Sequence, residues 1–151
     1  MNSEGSSSLT PARREALDAL VVRVLPGVEG PGAADTLVAD AIERAMDHRA
    51  LRGMRLPIET FLDRLDARAR ERCGQAFAAC APDQQDALLD ALEQDAKPWM
   101  RMMFTTIIGL SLEGLLGDPV HGGNRDGRGW ASIGMEIGDV RSGLCRAVPE
   151  D

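Results

Sequence analysis

The chain has 151 residues, room for one domain with tails but hardly for two, and a domain of this size buries roughly 68–70% of its unfolded surface without a disulfide or metal staple. Seventeen Lys+Arg against 24 Asp+Glu give a net charge of −7, which argues against a general nucleic-acid binder needing a basic face for phosphates. Hydrophobic residues at 44% exclude compositional disorder, while 3% aromatics and no Tyr leave a core of Ala, Leu, Val, Ile and Met, as helices use.

The polar stretch from Asn2 to Ser8 reads as a disordered leader. Thr10 before Pro11 predicts a capped helix start, because the hydroxyl can accept a backbone N–H and proline lacks only an N–H that would be unbonded there. That first helix is expected over Pro11 to Leu25, with Leu17, Leu20, Val21 and Val24 on one face. Arg13-Arg14 invites comparison with a twin-arginine export signal, but Glu15 and Asp18 interrupt the apolar run that such a signal requires. An amphipathic helix is the better reading.

After a turn-rich connector from Gly27 to Gly32, a second helix is expected near Ala33 to His48, burying Leu37, Val38, Ile42 and Met46. A third, Ile58 to Arg72, buries Ile58, Phe61, Leu62 and Leu65, with Gly74 placed to close it. Asp83 to Glu93 forms a fourth around Leu88, Leu89 and Leu92. Trp99 to Leu116 is the most apolar window and approaches a membrane span in length. Arg101, Glu113 and two glycines interrupt it, so a buried central helix of a soluble bundle is preferred. Nothing alternates with period two. The predicted fold is all-α, a single small bundle of about five helices.

Beyond Leu116 the character changes. Seven of the sixteen glycines fall between Gly114 and Gly134. At about 1 kcal/mol per interior glycine, this density predicts an irregular, multiply turned loop rather than a helix. Met135 to Asp151 reads as an extended tail.

The candidate chemistry is sparse. Cys73, Cys80 and Cys145 are an odd number without zinc spacing. On one helix Cys73 and Cys80 would lie about 10 Å apart, too far for a disulfide, so they read as small buried hydrophobes. His121 is the one general-base candidate with polar company, and Asp118 stands three residues away. No nucleophile accompanies them, and a hydrolase using this pair is the weaker alternative. The run from Gly122 to Gly129 suggests a phosphate cradle, but it follows a helix and lacks the GxGxxG order and a Lys-Ser/Thr. Trp130, a large indole beside glycines and arginines, calls for a pocket of its own or of a partner.

The stretch Gly117-Asp118-Pro119-Val120-His121-Gly122-Gly123-Asn124-Arg125-Asp126-Gly127-Arg128-Gly129-Trp130, followed by Ile133-Gly134, resembles the signature of the gluconate 2-dehydrogenase subunit 3 family. Its motif commonly reads G-x-x-x-D-P-x-Y-G-G-N, then G-W-x-x-I-G. Leu9-Thr10-Pro11, Leu25-Pro26 with Gly30-Pro31-Gly32-Ala33, and Ala81-Pro82-Asp83-Gln84-Gln85 are similar to the family's other landmarks. The likeness runs from about Leu9 to Gly138. His121 stands where Tyr is usual, Ala81 where a capping Ser is usual, and the frequent twin-arginine leader is absent.

The resemblance implies a small subunit without catalytic, cofactor or metal residues of its own. Its partner would be a large FAD-dependent flavoprotein of the glucose-methanol-choline (GMC) oxidoreductase type. That subunit would oxidise a sugar hydroxyl and pass electrons to an iron–sulfur or haem centre, in itself or in a cytochrome c subunit. Folding, flavin loading or export of the large subunit would be assisted here. The expected partner-binding residues are Asp118, Pro119, His121, Gly122, Gly123, Asn124, Arg125, Gly129 and Trp130, with Trp130 buried on the flavoprotein and Arg125 engaging a carboxylate or carbonyls. Asn124 can tolerate a left-handed backbone and bridge the turn. A free-standing helical interaction module is the other alternative. The chain divides into a leader at 1–8, a helical domain at 9–138 with its signature loop at 117–134, and a tail at 139–151. As written it would be cytoplasmic, and periplasmic if co-exported with a signal-bearing partner.

Overall fold

The computed structural model describes residues 9–27, 30, 32–49, 51–95 and 97–135. The expected leader, the tail and Cys145 lie outside the described residues. Within them the chain is all-α, with α1 at Pro11–Val24, α2 at Val38–Asp47, α3 at Arg55–Cys73, α4 at Pro82–Glu93, α5 at Pro98–Leu116 and a short α6 at Arg128–Ser132.

Helix starts follow the prolines. Pro11, Pro82 and Pro98 each open a helix, and the Thr10 hydroxyl accepts the Arg13 N–H at 3.4 Å. Helix α4 starts with half a capping box: Gln84 Oε1 accepts the Ala81 N–H at 3.0 Å, while Ala81 has no oxygen to return the bond. Helix α3 begins at Arg55 rather than Ile58 and carries Pro57 in its first turn, where a missing N–H costs no intrahelical bond. Gly74 closes α3 at φ 75°, its N–H reaching the Arg70 carbonyl.

Two expectations are corrected. Residues 33–37 form turns rather than the start of α2, and Leu37 is not core but 36% exposed, at φ 58°. Thr36 takes the buried place, its hydroxyl donating to the Gly32 carbonyl at 2.8 Å. The glycine-rich stretch is not wholly irregular either. It holds two 3-10 turns, Pro119–His121 and Arg125–Gly127, and then α6. Its left-handed glycines are Gly122, which ends the first turn, Gly127, which ends the second and precedes α6, and Gly134, just beyond α6; the helix itself includes only Gly129.

Helix α5 touches all five other helices and is the centre of the bundle, with Met100, Met103, Phe104, Ile107 and Leu110 facing the core. No described helix is long and apolar enough to cross a membrane. Leu17, Leu20, Ile42, Met46, Ile58, Phe61, Leu65, Phe77 and Leu92 fill the space around it. Gly114 makes the α2–α5 crossing close: a Cβ there would stand 3.2 Å from Val38 Cγ1 and 3.4 Å from Ala41 Cβ.

The arginine pair ties α1 to its neighbours. Arg13 bridges to Glu59 at 2.9 Å and Asp63 at 2.8 Å on α3, and Arg14 reaches Asp40 at 3.2 Å and Glu43 at 2.9 Å on α2. Arg23 holds Asp86 of α4 at 2.6 Å.

Cys73 and Cys80 do not share a helix. Cys73 ends α3, and Cys80 follows a 3-10 turn at Phe77–Ala79 and is buried. The Cys80 thiol donates to the Ala76 carbonyl at 3.4 Å. Burial pushes its pKa up, and the neighbouring Cys73 thiol adds to the shift. Both behave as packing residues.

Candidate functional site

The site grows from the C-terminal end of α5, where four backbone carbonyls have no partner further along the helix. The glycine-rich loop folds back to meet them. Gly117 N–H donates to Glu113 O at 2.7 Å, and Asn124 N–H to Gly114 O at 2.6 Å. Trp130 Nε1 donates to Leu116 O at 2.6 Å. The loop is thus a long C-cap, stitched to the helix it leaves.

Asn124 is the pivot of this cap. It is fully buried at φ 45°, the left-handed backbone that its residue type tolerates. Its Nδ2 donates to Gly117 O at 2.8 Å, and its Oδ1 accepts the Gly129 N–H at 2.7 Å. One side chain therefore joins the loop's start to α6. Glycines make the approach feasible: a Cβ at Gly129 would run into the Leu115 carbonyl and one at Gly123 into the Gly114 carbonyl.

The loop consequently has two sides. Gly123, Asn124, Gly129 and Trp130 point inward, and Trp130 is already 9% exposed within the chain itself. Its indole rests on the chain's own α5, where its N–H reaches the Leu116 carbonyl. His121 and Arg125 face outward, Asp118 and Pro119 are half-buried, and Val120 is 76% exposed. Gly122 is half-buried beneath Arg44 of α2, since a Cβ there would lie 2.6 Å from Arg44 Nη1. The Arg125 guanidinium stands 3.8 Å from its neighbour Asp126, and its backbone N–H donates to the Thr36 carbonyl at 3.4 Å.

Neither enzymatic reading of the loop assembles. Asp118 spends its Oδ1 on the Val120 N–H at 2.9 Å, capping the turn, and among the described residues no hydrogen bond joins its carboxylate to the His121 imidazole. Nearby Ser111 and Ser132 donate to backbone carbonyls of Ile107 and Gly129. A phosphate cradle needs free amides. Those of Val120, His121, Gly122, Asn124, Gly127 and Gly129 all donate within the chain. Among the described residues no three His, Cys, Asp or Glu converge as a metal site would need.

What the loop does form is one wall of a cavity of about 620 Å³, closed by α2 and α5. Ala41, Ile42, Ala45, Leu51 and Leu110 line it, with Arg44, His48, Glu113, Asp118, Val120 and His121 also on its walls. Sequence reading did not single out Arg44 or His48. Their four-residue spacing puts them on one face of α2, but nothing local says that the loop returns to that face.

A family description, gluconate 2-dehydrogenase subunit 3, matches residues 11–138. No curated protein matches the chain, and no solved structure does.

Proposed function

The chain belongs to the gluconate 2-dehydrogenase subunit 3 family, a subunit of an oxidoreductase complex, and on that premise we propose that it is the complex's non-catalytic small subunit. It binds a large FAD-dependent flavoprotein of the GMC type and assists that subunit's folding, flavin loading or export. FAD resides in the large subunit, which removes hydride from a sugar hydroxyl. An iron–sulfur or haem centre there, or in a cytochrome c subunit, takes the electrons.

The observation carrying this reading is the family match across nearly the whole domain. The loop supports it: its amides, its asparagine and its indole serve the domain's own architecture, and its outward residues are free to meet another protein.

Co-expression of the large subunit with and without this chain is the test. With the chain, the large subunit should be soluble, flavin-loaded and active on sugar. Without it, flavin content and activity should fall together. A large subunit that holds FAD and turns over equally well alone would sink the proposal.

A further inference from the structure

We propose that Cys73 and Cys80 are a paired oxidation site: a small disulfide oxidant such as oxidised glutathione converts them to an intrachain disulfide. The bond staples the end of α3 to the start of α4. This goes beyond the accessory-subunit reading and does not depend on it.

On one straight helix the two residues would lie about 10 Å apart, but the chain reverses between them. Helix α3 ends at Cys73, and Gly74 turns the backbone at φ 75°. Residues 74–79 bring the chain back to Cys80, just ahead of Pro82, which opens α4. Asp66 marks where the connector lands. It stands two helical turns before Cys73 and therefore on the same face of α3. Its Oδ1 accepts the Phe77 N–H at 2.8 Å, so the connector folds onto the face that carries Cys73. The Cys80 sulfur lies 3.4 Å from the Ala76 carbonyl and 4.0 Å from that of Gln75, two residues beyond Cys73. Burial is the first cause of the raised Cys80 pKa, and next come the hydrogen-bonding and charge effects of the Cys73 thiol. The two thiols are direct neighbours.

Both arms are held in place. Phe77 is fully buried, and Gln85 Nε2 of α4 donates to its carbonyl at 2.9 Å. The Cys80 N–H donates to the same carbonyl at 3.1 Å, and the Gly74 N–H to Arg70 O at 3.0 Å. Reduced, the pair packs as two small apolar groups. Access separates their roles on oxidation. Cys73 is half-buried, with Arg72, Gly74 and Gln75 exposed around it, whereas Cys80 is 6% exposed. Cys73, as the thiolate, attacks one sulfur of glutathione disulfide, forming a mixed disulfide and expelling one glutathione thiolate. Cys80 then gives up its proton, and its sulfur attacks Cys73 Sγ and expels the second. Two protein thiols lose two electrons, the glutathione disulfide gains them, and both protons end on the released glutathione thiols.

The test uses the full chain carrying Cys145→Ser, so that only Cys73 and Cys80 react, equilibrated in glutathione redox buffers. Oxidation should remove both free thiols and leave a monomer without bound glutathione. The peptide carrying both cysteines should be two hydrogens lighter. Closing this short loop should raise Tm by about 5 °C, and a dithiol reductant should reverse the rise. Cys73→Ser in the same background should show no rise, and Cys80→Ala should stop at the mixed disulfide on Cys73. If Cys80→Ala does not fold, the peptide mass and the Cys73→Ser control still decide. A lasting glutathione adduct on Cys73 with Cys80 present, a disulfide-linked dimer, or two thiols that stay free overturns the assignment. Closure seen only in unfolded chain, or closure without a rise in Tm, overturns it as well.

Discussion

Trp130 Nε1 lies 2.6 Å from the carbonyl oxygen of Leu116, fourteen residues back along the chain. That bond joins the last residue of the central helix to the first turn of α6, and it explains why an indole stands beside glycines here. The ring covers the helix end, the N–H satisfies one of its orphan carbonyls, and the glycines let the backbone come close enough for both.

Trp130→Ala should therefore lower the stability of the free chain, by about 3–5 kcal/mol for the lost packing. Trp130→Phe keeps most of the apolar contact and loses the hydrogen bond, for about 1 kcal/mol. Urea unfolding of the isolated chain checks both. Loss of assembly with unchanged unfolding would show that the indole serves the partner instead.

Asn124 makes a sharper test, because both ends of its amide are used. Asn124→Ala leaves Gly117 O and Gly129 N–H without that partner, at about 1–3 kcal/mol each. Asn124→Asp keeps the acceptor for Gly129 but sets a carboxylate oxygen against the Gly117 carbonyl. Only the protonated acid can donate there, so its folded pKa is expected above the unfolded value. The variant's deficit relative to wild type should thus be full at neutral pH and shrink as pH falls through that raised value. Melting temperatures of the two proteins at several pH values measure it.

The glycines should divide by what their missing side chains leave room for. Gly129→Ala and Gly123→Ala drive a methyl into the Leu115 and Gly114 carbonyls, respectively, and should each cost about 3 kcal/mol or more. Gly109 sits inside α5, exposed, with nothing within 4 Å of a Cβ. Gly109→Ala should stabilise the chain by about 0.5–1 kcal/mol. Equal effects at all three positions in thermal melts would contradict the loop's close contact with α5.

Acid should loosen the helix clamps. The Arg13 guanidinium holds the Asp63 carboxyl below the usual carboxylate range, and Arg23 does the same for Asp86. The Lys97 amide, followed by Arg68, lowers Asp95. For a depressed carboxylate the unfolded chain binds more protons. Its contribution is whole above the unfolded pKa of about 4 and is lost as pH falls through the lower folded value. Tm should therefore hold down to about pH 4 and drop below it. Asp63→Asn should melt somewhat lower at neutral pH and show a shallower acid decline. The difference should also diminish in high salt, since the Asp63 side chain is 53% exposed.

The sequence by itself located the five longer helices and the core faces of α1, α3 and α4. Prolines at 11, 82 and 98 and the 3.6-residue spacing of Leu17, Leu20, Ile58, Phe61, Leu65, Leu88 and Leu92 are local signals, and they alone mark where a helix starts and which face is buried. The signature loop was legible as a motif, and the left-handed turn at Asn124 as a consequence of its residue type. What only the tertiary structure decided is which way that loop faces. The α2 spacing continues to Leu37 and predicts it as core, yet the turn at 33–37 rotates it outward and puts Thr36 inside. Trp130 could have been aimed at a partner, and Arg44, His48 and His121 carry no local sign that they share a cavity. Periodicity fixes each residue relative to its own helix axis. Where a glycine-rich chain returns depends on the carbonyls left open at Gly114 and Leu116 and on the space beside α2, and those exist only once the helices have packed.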